Sequence, residues 1–242
     1  MNLSSPLTPA TIALICAAGS GSRAGGDVPK QYQRIGTQPM LAHTISAFQN
    51  TSQITSIYVV IAPNDTWYDE IIAPLFGENV RVLRVGGATR AESICYALAE
   101  LDALYDEAYV MVHDAARPCV TDALIKRLYD EVVAHGGDAG GLLALPVVDT
   151  VKSSDDGLLV KKTIERKKLL LAQTPQMFKL HVLFNALSDA LVDADSAANI
   201  TDDASVMERA GYDPLLVHGH MRNLKVTHAD DFKLAQFWLN HS

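Results

Sequence analysis

The chain is short of cysteine, of positive charge and of long apolar runs, and each shortage excludes something. Its three cysteines, Cys16, Cys95 and Cys119, are far apart and form no Cys-x-x-Cys pair. That argues against a disulfide framework or a zinc site and for buried structural thiols in a reducing compartment. Lys and Arg number 20 against 28 Asp and Glu, a formal net charge of −8. A nucleic acid or an anionic membrane surface wants a basic face, so neither is expected as a partner. No stretch approaches the ~20 apolar residues of a membrane span, and positions 1–10 lack the basic and apolar regions of a signal peptide. A cytoplasmic protein is the expectation. Internal repeats and low-complexity segments are also missing. Hydrophobic content of 48% and charged content of 20% are ordinary for a globular chain, and 242 residues suffice for one large domain with a sizeable core.

What is present concentrates at residues 17–31, AAGSGSRAGGDVPKQ, directly after the apolar run Thr11-Ile12-Ala13-Leu14-Ile15-Cys16. A buried strand is expected to enter a loop holding Gly19, Gly21, Gly25 and Gly26, with the cations Arg23 and Lys30 close by. Glycines let backbone N–H groups approach an anion, and Arg and Lys complete its neutralisation. A polyphosphate is the natural ligand. The spacing is not a Walker A loop, because Asp27 follows Gly26 where Lys-Ser/Thr is required. The dinucleotide fingerprint would place its third glycine at position 24, which is Ala24. Ala is tolerated there, so the two added cations are the stronger objection.

Apolar, β-branched runs recur at Ile12–Ala17, Ile57–Ala62, Val80–Val85, Tyr109–His113 and Leu142–Val148. Helical patterns separate them at Met40–Gln49, Trp67–Leu75, Ala91–Leu104 and Thr121–His135. Continuous strands alternating with helices indicate an α/β fold, a mostly parallel sheet with helices on both faces. The rhythm breaks between Asp149 and Gln173, where Thr150-Val151-Lys152 and Leu159–Ile164 flank a polar tip and read as a protruding β-hairpin. Helices resume at Lys179–Ala190 and Asp203–Ala210, followed by a strand at Leu215–His218, a short strand at Asn223–Thr227 and a helix at His228–Asn240.

Further constellations sit at expected strand ends, where ligands bind in open α/β sheets. Gly86-Gly87-Ala88-Thr89-Arg90-Ala91-Glu92-Ser93 follows the third strand; taken alone, it reads as a helix capped by Thr89 with Arg90 in solvent. His113-Asp114-Ala115-Ala116-Arg117-Pro118 follows the fourth. Asp114 there suits a metal or a sugar hydroxyl and Arg117 a phosphate, or the two simply pair to shape the turn. His113 is more simply structural than a base, having no nucleophile beside it in sequence. The hairpin and its exit carry Lys152, Lys161, Lys162, Arg166, Lys167 and Lys168, either a solvated face or an arm delivering Arg166 to an anion. Gln173-Thr174-Pro175-Gln176 reads as a ligand loop. Ile200-Thr201-Asp202-Asp203-Ala204-Ser205 reads as a helix cap with acidic first-turn residues.

In order, AAGSGSR, PKQY, GGATRAES, HDAARP, PVVDTVK, TIER, QTPQ, ITDDAS and NLKVT resemble the 2-C-methyl-D-erythritol 4-phosphate cytidylyltransferase family of the non-mevalonate isoprenoid pathway, from about Ile12 to Asp231. Ala24 and Ala88 depart from residues common in the family, though neither position supplies an essential charge. The resemblance implies a Rossmann-like nucleotidyltransferase domain over residues 1–242, with residues 149–173 as a β-arm that forms a homodimer. It implies that Arg23, Lys30 and Lys225 are catalytic cations. Ala17, Ala18, Gly19, Gly87, Ala88, Ser93 and Ala115 would line the CTP site. Asp114, Arg117, Thr150, Thr174 and Thr201 would line the methylerythritol phosphate pocket together with Lys225, and Arg166 would reach the site of the opposite subunit. Mg²⁺ would be held mainly by the CTP phosphates.

The chemistry implied is attack by a phosphate monoester, whose second pKa of about 6 makes it largely dianionic at neutral pH. No general base is required. The obstacle is anion–anion repulsion, which cations and positioning must overcome. Rival readings are a cytidylyltransferase for another polyol phosphate such as ribitol 5-phosphate, a non-catalytic nucleotide-binding protein, and a dehydrogenase. The last lacks an acidic residue at Ile61-Ala62-Pro63-Asn64 to hold a ribose.

Overall fold

Strand β1 (Ala10–Cys16) owes its central position to an unbroken apolar run, buried on both sides. The computed structural model describes residues 9–19 and 28–241. After β1 come the small ribbon β2 (Arg34–Ile35) and β3 (Gln38–Pro39), then α1 (Met40–Gln49), β4 (Ser56–Val60), the short helices α2 (Trp67–Ile71) and α3 (Ala73–Phe76), and β5 (Arg81–Leu83). Next are α4 (Arg90–Asp102), β6 (Ala108–Asp114), α5 (Asp122–Ala134), β7 (Gly141–Pro146), the ribbon β8 (Val151–Ser153) and β9 (Lys162–Ile164), and β10 (Leu170–Lys179). The chain closes with α6 (Leu180–Val192), α7 (Ala194–Ala198), α8 (Asp203–Arg209), β11 (Leu215–His218) and α9 (Ala229–Asn240).

The main sheet has the order β11-β7-β10-β6-β1-β4-β5. Strands β6, β1, β4 and β5 run parallel, as do β7 and β11; β10 is antiparallel to both its neighbours. Alternate β1 residues face opposite layers. Ala13 and Ile15 pack with Leu41, Ile45 and Phe48 of α1 and Ile125 and Leu128 of α5. Ile12 and Leu14 pack with Ile94 and Leu98 of α4, Leu183 and Leu187 of α6 and Met207 of α8. Each of the fully buried Leu, Ile, Met and Phe side chains among these contributes about 1.5–3 kcal/mol of transfer free energy. The mostly parallel sheet with helices on both faces is therefore as expected.

Three expectations are corrected. The helix over Trp67–Leu75 is two helices, because Pro74 cannot donate to a continuing first helix and instead sits in the first turn of the second. Gln173-Thr174-Pro175-Gln176 is not a loop but the middle of β10, where the ladder to β7 shifts register across a cis Thr174–Pro175 bond. Asn223–Thr227 is not a strand but an irregular segment pinned by the bond from Val226 N–H to Ala116 C=O, 2.8 Å. The hairpin is present as β8 paired with β9, Val151 opposite Ile164.

Strands β4 and β5 extend the sheet on one side of β1, and the chain then returns to β6 on the other side. That reversal puts a crevice at the carboxyl ends of β1 and β6, where Cys16 and Asp114 are register partners.

Candidate active site

A cleft of about 550 Å³ opens at this crevice, lined by Cys16–Gly19, Lys30 and Gln31, Gly87–Arg90 with Ser93, Asp114–Ala116, and Lys225. All seven residues expected along the nucleotide are in it, together with Lys30, Asp114 and Lys225. Arg23 lies outside the described residues.

Local structure explains each wall. At the exit of β1, Gln31 Nε2 donates to the carbonyls of Ala17 (2.8 Å) and Gly19 (3.0 Å), tying the start of the glycine loop to the turn that carries Lys30. That turn is held in turn by Tyr32, whose hydroxyl donates to Asp65 at 2.8 Å. Lys30 Nζ donates to Val226 C=O at 2.7 Å. On the opposite wall Thr89 caps α4 in a capping box with Glu92, as the sequence suggests. Ser93 Oγ donates to Thr89 C=O and accepts from Gly87 N–H at 3.0 Å, fixing the Gly86–Gly87 bend. A Cβ on Gly86 would stand 2.6 Å from the Ala18 Cβ, so only glycine lets the two walls approach this closely.

The floor is charged. Asp114 Oδ2 faces Lys225 Nζ at 2.8 Å, and Asp114 Oδ1 accepts from Arg90 Nε at 3.0 Å. Arg90 does not point into solvent. Its two terminal nitrogens form a fork on Asp203 at 3.1 and 2.9 Å, and the Asp203 side chain is 2% exposed. Asp202 is the cap of α8 and Asp203 an acid of its first turn, as expected, and Asp203 is in addition the buried partner of Arg90. Burial pushes the Asp114 carboxyl up, but the charges of Arg90 and then Lys225 more than offset it and hold the group well below the usual carboxylate range.

His113 lies one layer behind, fully buried. Its Nε2 faces Arg117 C=O at 3.2 Å, so Nε2 carries the proton, and Nδ1 accepts from Thr174 Oγ1 at 3.0 Å. Thr174 Oγ1 accepts from Asp114 N–H at 3.1 Å. This chain of hydrogen bonds fixes the backbone of the Asp114–Arg117 turn. Burial lowers the His113 pKa to about 4, so the ring is neutral and structural, the simpler of the two expectations. Arg117 donates to Asn223 C=O at 2.7 Å and stands 3.8 Å from Asp114, so it braces the Asn223–Thr227 segment more than it pairs with the acid. Bracing turns Lys225 inward. Burial raises the Cys16 thiol to about 12, leaving it inert.

Of the residues expected at the acceptor pocket, Asp114 and Lys225 line the cleft, and Arg117 and Thr174 sit directly behind Asp114. Thr150, Arg166 and Thr201 do not line it: Thr150 and Arg166 are exposed on the arm and its exit, and Thr201 is exposed just before the α8 cap. Gln31, Arg90 and Asp203 were not assigned roles by sequence. The partners of Arg90 lie 24 and 113 residues away, so the local sequence carries no sign of them.

The model for the IspD family, 2-C-methyl-D-erythritol 4-phosphate cytidylyltransferase, matches residues 11–241. The chain belongs to this family. A 2-C-methyl-D-erythritol 4-phosphate cytidylyltransferase of Ralstonia nicotianae is 46% identical over 241 residues, covering 98% of this chain and 94% of the relative. One of Chromobacterium violaceum is 45% identical over 225 residues, covering 93% and 96%. The crystal structure of the Francisella tularensis enzyme superposes with a TM-score of 0.79 at 32% identity, over 95% of this chain and 99% of that one. A crystal structure described as 4-diphosphocytidyl-2C-methyl-D-erythritol synthase gives 0.82 at 36% identity, over 96% and 99%. The fold is thus the Rossmann-like nucleotidyltransferase fold of this cytidylyltransferase family.

Magnesium is the metal such a cytidylyltransferase implies. Asp114 is the one carboxylate lining the cleft among the described residues, and Arg90 and Lys225 engage both its oxygens. This donor set does not fit an ion held by the protein itself.

Proposed function

We propose that the chain transfers CMP from CTP to 2-C-methyl-D-erythritol 4-phosphate, releasing pyrophosphate. The observation that carries this is the convergence of the glycine-loop start, Lys30, the Gly87–Ser93 wall and the Asp114–Lys225 pair in one cleft at the sheet's reversal point, in a chain of this family. An oxygen of the acceptor phosphate attacks the α-phosphorus of CTP. A new P–O–P bond forms, the bond between the α-phosphorus and its bridge oxygen breaks, and its electron pair leaves on pyrophosphate.

The acceptor phosphate is already largely dianionic at neutral pH, so no side chain need remove a proton. His113, neutral and tied into the backbone, is free of that duty. The barrier is repulsion between two anions, and Lys30, Lys225 and Arg23 supply the opposing charge. Magnesium enters as part of the substrate, bound to the CTP triphosphate. Backbone groups at Gly87 and Ala88, with Ser93 bracing them, offer the cytosine a fixed edge, and Ala115 faces the ribose.

We further propose one domain with residues 149–173 as an arm that pairs two copies of the chain and carries Arg166, and with it Thr150, to the partner's acceptor pocket. Support comes from the arm's exposed apolar side chains: Leu158, Leu159 and Val160 are 86%, 74% and 65% exposed, more than a solvated ribbon needs. A cytoplasmic location belongs to the same proposal. No helix among the described residues is long and apolar enough to cross a membrane. The test is pyrophosphate release from MgCTP with methylerythritol phosphate, ribitol 5-phosphate and other polyol phosphates. Release with methylerythritol phosphate at least tenfold above the others is expected; preference for another acceptor would refute the assignment.

A further inference from the structure

We propose that Asp203 is a positioning residue for acceptor binding: through Arg90 it fixes the Asp114 carboxylate, and through Asp114 it holds Lys225 in the cleft. The inference rests on the proposed reaction and adds to it two residues and a direction of control.

Three cations, Arg90, Lys225 and Arg117, surround the single carboxylate of Asp114, at 3.0, 2.8 and 3.8 Å. Lys225 is the most exposed of them, its side chain 47% accessible, and a strongly hydrated ammonium on a flexible stem holds a shared acceptor less firmly than a guanidinium fork does. The fork of Arg90 on Asp203 uses both terminal nitrogens and leaves only Nε for Asp114. One oxygen of Asp114 therefore stays available to Lys225. Without the charge of Asp203, the guanidinium would turn its fork onto Asp114 and take both oxygens. Lys225 would then lose its anchor.

Asp203 is itself held rigidly. Its backbone lies in the first turn of α8, whose cap Asp202 accepts from Gln176 Nε2 at 2.9 Å, and the next residue, Ala204, donates its N–H to Gln176 Oε1 at 2.8 Å. Gln176 belongs to β10, the strand beside β6, which ends in Asp114. The helix that presents Thr201 at its entrance, the strand end that presents Asp114 and the helix that forms the cytosine wall are thus joined through one guanidinium. A lysine at position 90 could not bridge two carboxylates in this way.

The experiment is a double-mutant cycle on steady-state rates with MgCTP and methylerythritol phosphate, using Asp203→Asn, Asp114→Asn and the double variant. Asp203→Asn is isosteric. It should lower kcat/KM for methylerythritol phosphate about tenfold, the scale of coupling between contacting residues, while KM for CTP stays within about twofold. In the Asp114→Asn background the same change should cost less than about twofold, because its route to Lys225 is already cut. Arg90→Lys should reproduce the Asp203→Asn pattern and serves if that variant proves unstable. Equal losses in both backgrounds, or equal effects on both substrates, would overturn the inference and leave the proposed reaction standing. Failure of both variants to fold would assign the pair to the scaffold alone and overturn it too. Wild-type protein inactive with methylerythritol phosphate would overturn both.

Discussion

His113 shows how one buried side chain couples stability to pH without taking part in the chemistry. Its pKa falls from 6.5 to about 4 on folding, chiefly through burial. The unfolded chain therefore binds more protons between those values, and stability is lost as pH falls through that window. Between pH 7 and pH 5 the loss should be about 2 kcal/mol. Thermal unfolding measured against pH, in wild type and in His113→Asn, checks it: the variant should be less stable at pH 7 but show a shallower decline. Lys30 makes the complementary case. Lys30→Ala should lower kcat roughly 10²-fold at saturating CTP while the protein stays folded, since the contact it supplies strengthens as charge develops. Turnover near wild type would remove Lys30 from the mechanism. Both residues were legible in sequence, one by its place at the end of an apolar strand, the other by its glycine-rich company. Gln31 was not, because nothing local shows that its amide reaches back to Ala17 and Gly19.

At the scale of elements, periodicity and caps carried most of the information. Strand β1 and the helices α1, α4 and α5 follow from apolar spacing, and α4 also from Thr89 as its cap; Thr121, expected inside α5, is the cap of that helix. Thr89→Ala should cost about 1 kcal/mol by losing the capping box, and chemical denaturation measures it. The same change should raise KM for CTP, because Ser93 and the Gly87 bend hang on that cap. Strand β10 was illegible for a physical reason. Its centre is polar and contains a proline, yet it is buried because distant groups satisfy it: Gln173 donates to His220 C=O, and Gln176 serves Asp202 and Ala204. Hydrogen bonds over tens of residues leave no periodic trace.

For the whole molecule, the cleft gathers the residues proposed for the nucleotide and part of those proposed for the acceptor, while Thr150 and Arg166 are exposed outside it, on either side of the β8–β9 ribbon. If the arm completes the partner's pocket, mixing inactive Lys30→Ala and Arg166→Ala subunits should restore about a quarter of wild-type activity, from the one intact site of each mixed dimer. No recovery after verified subunit exchange would place Arg166 in its own protomer's site or outside the chemistry. The largest claim is that cations and position accomplish the transfer with no protein base. It is tested most directly by the acid limb of kcat/KM against pH for the acceptor at saturating MgCTP, compared between methylerythritol phosphate and its phosphonate analogue. The expected result is a limb near pH 6 for the phosphate that moves upward with the higher second pKa of the phosphonate. A limb that stays in place when the acceptor changes would show that a group on the protein governs the proton, and would contradict the mechanism.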